Sequence, residues 1–130
     1  MSAALSEALV AAVAADVSQR MAESAAYAQL AVGAFVEEQP DAARFLSAKL
    51  RHLGDAAIEA LFHAEVLAEC LRRARQTRLP ALGFADLDAN AETPLTTLRK
   101  RAEPLADYLD ANVDHADARD AIALVAVSLL

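Results

Sequence analysis

Tryptophan is absent from the sequence, and two tyrosines and four phenylalanines are its only aromatic residues. So thin an aromatic supply, with too little of it beside the arginines of 72–78, leaves no platform for stacking nucleic-acid bases there. A single cysteine, Cys70, excludes an internal disulfide and a thiolate metal cluster, and it fits a reducing compartment. Only three glycines and four prolines punctuate the chain, which excludes a glycine-rich phosphate loop and a nucleophile elbow and predicts few, long elements. The apolar C-terminal stretch "AIALVAVSLL" is far short of the ~20 residues that cross a bilayer. Basic residues are outnumbered 12 to 19, for a net charge of -7, and clustered phosphate contacts are not expected from such a chain.

What is present is apolar and small. Hydrophobic residues make up 56% of the 130, carried by Ala, Leu and Val, a composition that favours helix over strand. The fold class expected is all-α: a single helical domain over 1–130, with a long antiparallel hairpin over 1–78, a loop over 79–93 and two or three shorter helices over 94–130. The opening "MSAALSEALVAAVAADV" has no positively charged start and carries Glu7, so a secretion signal is set aside and a soluble, cytoplasmic protein is expected.

The apolar stripe Leu9, Val13, Val17, Met21, Ala25, Ala28, Val32, Phe35 keeps a helical phase from Ser6 to Gln39, with Ser2 or Ser6 as N-cap and Pro40 as stop. A second stripe through Leu46, Leu50, Leu53, Ala57, Leu61, Ala64, Ala68 and Leu71 predicts a helix over about 41–77, kinked or straight at Gly54. Thr93 and Pro94 open a third, which runs through Leu98, Ala102, Leu105, Leu109 and Val113 with a kink at Pro104. Asp117 with Asp120 suits a capping box for the last helix, apolar nearly all round and therefore buried or covered by another chain. Ala60, Ala64 and Ala68 allow a neighbouring helix to come close, and an Ala-rich hairpin buries little by itself, so a homodimer is expected.

Three sets of residues bear on function. His52, Glu59, His63 and Cys70, spaced by seven, four and seven, would fall within about 40° around one continuous helix, and Glu59 with His63 would suit zinc or iron. The Glu-x-x-x-His spacing departs from the Glu-x-x-His of di-iron bundles and occurs once, and both histidines follow a stripe leucine by two, which turns them toward solvent. Asp107, Asp110 and Asp114 form an acidic row, and Arg72 and Arg75 belong to a basic cluster at a helix C-terminus; these are the candidates for meeting a partner. The short "DLDAN" and "DANVD" stretches lack the glycine and closing glutamate of a calcium loop.

The function expected is protein–protein interaction without catalysis and without a cofactor, as adaptor, chaperone, inhibitor or antitoxin-like protein. The partner is a protein, not nucleic acid and not membrane. A divergent ferritin-like metal bundle using His52, Glu59 and His63 is the second reading, and an acidic mimic of nucleic acid the third.

Overall fold

A computed structural model describes residues 5–130, so Ser2, the alternative first cap, lies outside the described residues. The fold is an all-α bundle, 80% helical, with eight helices and no strand among the described residues.

The single long first helix is not what forms. Helix α1 spans Glu7–Glu23 and α2 spans Tyr27–Glu38. Ser6 caps α1 as expected, its Oγ accepting from the Leu9 amide at 3.1 Å. The break falls at Ser24, whose Oγ accepts from the Ala26 amide at 3.3 Å and whose backbone is extended. A serine that offers the chain a local turn competes with the helix, and the apolar phase continues across it because phase does not report continuity.

Gln39 is the sole residue between α2 and α3, Pro40–Lys49, where Pro40 supplies a preset first-turn φ. The expected second long helix is likewise divided. A 3-10 turn, Arg51–Leu53, and Gly54 separate α3 from α4, Asp55–Arg75. Gly54 has φ +61° and ψ -124°, a conformation open essentially to glycine alone. Two long helices in a hairpin thus become four shorter ones, which turn the chain back on itself.

Residues 79–93 are not all loop, since Phe84–Ala89 form α5, with Leu87 buried and the Gly83 amide donating to Asp86 Oδ2 at 2.8 Å. Thr93 precedes α6, Pro94–Arg101, but its side chain makes no cap bond, and it holds φ 43°. The expected kink at Pro104 is a full break: Ala102 links α6 to α7, Glu103–Asn112, and Pro104 sits in the first turn of α7. A proline there removes no helical hydrogen bond, whereas inside one continuous helix it would. The last helix, α8, spans Ala116–Leu129 with His115 at its N-cap position, so the expected Asp117 and Asp120 capping box does not form.

Two helices organise the core. Helix α8 buries Ala121 through Val127 within this chain and packs on α3, α4, α5, α6 and α7. Helix α4 is shared, touching α8 as well as α1, α2 and α3. Ala60, Ala64 and Ala68 are all buried, as their small size allows where helices crowd. Gln39 is buried too, its Nε2 donating to the Pro80 carbonyl at 2.8 Å and its Oε1 accepting from the Leu82 amide at 2.9 Å. A buried amide with both ends satisfied pins the 76–83 segment to the α2–α3 junction.

Candidate binding cleft

Because the chain turns at Ser24, α1 and α2 pack separately on α4 and leave between them an open cleft of about 610 Å³. Val17 and Met21, one turn apart on α1, face it with Val32 of α2, and Ile58 and Phe62, one turn apart on α4, complete its apolar lining. Met21 and Ile58 remain 46% and 58% exposed. The stripe that placed Met21 among core residues has the right phase, but the divergence of α1 and α2 removes its cover. A second hollow of about 360 Å³ lies beside the first, with Val17 and Phe62 lining both, and it is of mixed character, carrying Asp16, Arg20, Glu65, Glu69 and Arg73.

One end of the cleft is polar. Glu59 and His63 lie a turn apart on α4, and Tyr108 and Asn112 come from α7. His63 Nδ1 and the Tyr108 hydroxyl are 2.8 Å apart. The His63 ring meets Phe62 and Tyr108 edge-on, at centroid distances of 5.5 and 5.7 Å. Burial holds the His63 imidazole below its ordinary value, with the Glu59 carboxylate pulling the other way. Burial also pushes the Tyr108 phenol above its ordinary range. Both groups are therefore neutral near pH 7, and the contact engages one ring nitrogen of His63 with the phenol. A small hollow of about 80 Å³ adjoins this end, shares Glu59, His63 and Asn112, and is lined further by Asp114 and His115.

The expected row of His52, Glu59, His63 and Cys70 required one continuous helix, and Gly54 interrupts it. His52 lies on the 3-10 turn, exposed, with Nε2 3.1 Å from Asp117 Oδ2. His63 is half-buried against Tyr108 rather than turned to solvent. Cys70 is fully buried, and burial pushes its thiol up to about 12, more than the neighbouring arginines pull it down. Among the described residues, no three His, Cys, Asp or Glu side chains converge as a metal-binding set.

The expected partner residues are differently placed. Arg72 lies inside a network: it donates to Glu38 of α2 at 2.7 Å, to Glu69 at 2.9 Å and to Glu65. Its neighbour Arg73 donates to Asp16 of α1 at 2.7 Å and to Glu69 at 2.9 Å. These pairs fasten α1 and α2 to α4 at the second hollow, which Asp16, Glu65, Glu69 and Arg73 line. Burial pushes the Glu65 carboxyl up, against the pull of Arg72. Arg75 donates to the Leu130 carbonyl at 2.9 Å. Asp107 and Asp110 both accept from Arg99, at 3.1 Å for Asp107, so this part of the acidic row carries its own counter-charge. Asp114 is exposed beside the small hollow.

Sequence reasoning missed Tyr108, Ile58 and Gln39. Ile58 follows the stripe residue Ala57 and so falls outside the expected core face, a signal that was present. Tyr108 gave none, because its role depends on how α7 crosses α4. No protein-family model matches the chain, nor does any curated protein or solved structure.

Proposed function

We propose that the protein acts by binding rather than by catalysis, and that the cleft between α1, α2 and α4 receives apolar side chains of a partner protein. The observation that carries this reading is the exposure of Met21 and Ile58 on an apolar cleft large enough to take several side chains. Covering the exposed part of each would contribute about 1 kcal/mol, half of what full burial of such a side chain is worth. Two of the titratable groups that line it, His63 and Tyr108, are neutral and bonded to each other, which leaves Glu59 as its one charged side chain among the described residues and suits a surface that selects mainly shape and apolarity. The expected homodimer is one form such binding takes, with a second copy as the partner.

The test compares tagged wild-type protein with Ile58→Glu, purified from the same cells and read by quantitative mass spectrometry and sedimentation. A stoichiometric partner, or a dimer of the chain itself, that is lost in Ile58→Glu while melting is unchanged is the expected result. An identical set of partners and an identical oligomeric state in both would overturn the reading.

A further inference from the structure

The cleft continues into a compartment of opposite character, and the two together describe a ligand with two parts. The apolar cleft, with Val17, Ile58 and Phe62 in its wall, ends at Glu59, beyond which lies the hollow of about 80 Å³. That volume is comparable to an ammonium or guanidinium head, a single water claiming about 30 Å³ of liquid. Glu59 and Asp114, both exposed, supply two carboxylates there, and no lysine or arginine lines the hollow or the cleft. Arg119 lies close by on α8, held by the Val113 carbonyl at 2.7 Å, and its charge offsets one of the two carboxylates. The positive end of α8 is met by its own Asp117 in the first turn. With Asp117 counted beside Glu59 and Asp114, what an incoming group encounters is still net negative charge at the end of an apolar cleft, in a chain of net charge -7.

We infer that the partner segment is a basic amphipathic helix, which lays its apolar face along Met21, Ile58 and Phe62 and brings a lysine or arginine to the hollow between Glu59 and Asp114. This rests on the docking reading above and adds to it the chemistry of the partner. A helix is favoured over a small molecule because the cleft is open, with Met21 and Ile58 exposed on it, and its volume of about 610 Å³ takes several side chains of one helix face.

Three fluorescein-labelled model peptides of 16 residues would share one leucine face and carry Lys, Gln or Glu on the opposite face. Their binding is read by anisotropy at fixed ionic strength against wild type, Glu59→Lys, Ile58→Lys and Asp88→Lys; the last reverses an exposed acid outside the cleft. The Lys peptide is expected to bind wild type most tightly. Glu59→Lys should weaken it about fivefold and favour the Glu peptide, as reversal of a rim charge does. Ile58→Lys should abolish binding of all three, and Asp88→Lys should change the Lys peptide less than twofold. Equal affinity for the three peptides, or equal loss in Glu59→Lys and Asp88→Lys, would overturn the basic-partner inference and leave the docking reading standing. Binding of no peptide, with a native partner insensitive to Ile58→Glu, would overturn both. Saturable binding of dodecylammonium without any peptide binding would replace the helix by a small amphiphile and so overturn the inference.

Discussion

His63 couples the cleft to pH in a direction that follows from its surroundings. Its imidazole titrates below the ordinary 6.5 because burial disfavours the charged form. In the unfolded chain that burial is gone, so the unfolded state takes up the proton first as pH falls. The stability His63 contributes is therefore complete above about 6.5 and is lost as pH falls from there toward its folded-state value. Urea unfolding from pH 7.5 down to 5 should show this as a decline, and His63→Gln should flatten it by up to ~1.4 kcal/mol per pH unit, the limit for one proton. A decline unchanged in His63→Gln would mean that the imidazole is not buried as described. The same residue shows how far sequence reaches at this scale. Its distance from the leucine stripe was legible, but Tyr108, which half-buries it, comes from another helix 45 residues on.

At the scale of helices, two glycines that look alike in the sequence behave oppositely. Gly33 is an exposed helix-interior residue, and an added Cβ meets nothing within 4 Å. Gly33→Ala should stabilise the protein by ~1 kcal/mol through helix propensity alone. Gly54 also has open space around it, but its φ of +61° is the obstacle. Gly54→Ala should cost ~1–3 kcal/mol of backbone strain. Paired urea melts check both signs, and two changes of the same sign would contradict the break between α3 and α4. Periodicity legibly gave the helical class, the turn before Pro40 and the start at Pro94, because proline states its preferences locally. It did not give the breaks at Ser24, Gly54 and Ala102, since a stripe keeps phase across a short interruption whenever both pieces pack on the same core. The cleft was illegible for the same reason: it exists where α1 and α2 part, and their parting is set by what each meets on α4.

Across the whole molecule, charge holds the α1–α2 layer on the rest. Arg72, 18% exposed, answers Glu38 on α2 and Glu65 on its own helix, and Glu65 is only 13% exposed. Removing the cation strands that carboxylate, so Arg72→Met should cost ~3–5 kcal/mol, the usual loss on breaking a buried pair from one side. The double variant Arg72→Met/Glu65→Met should recover much of it, since replacing both partners by apolar groups leaves no stranded charge. Denaturant midpoints of the two variants decide this, and a double variant no more stable than the single one would mean that Glu65 is not desolvated. In the sequence, residues 39–78 hold seven bases against five acids while both flanking segments are acidic, so a basic middle segment facing acidic flanks was legible. Which arginine meets which acid was not, because that depends on the register of α4 against α1 and α2.

Helix α8 also sets an order of events in time. Translation delivers α1 through α7 before any residue of α8 exists, yet α3, α4, α5, α6 and α7 all pack on it. Until Ala116–Leu129 leaves the ribosome, the faces of α4 and α6 that it covers have no partner within the chain, and exposed apolar surface of that kind is what aggregation and holding chaperones both recognise. A nascent chain halted in the Val113–His115 link would be nearly as long as the described fold and would still lack the element that closes its core. Folding of this bundle therefore cannot close before α8 is made, and the fidelity with which Ala116–Leu129 is synthesised matters more than its 14 residues suggest.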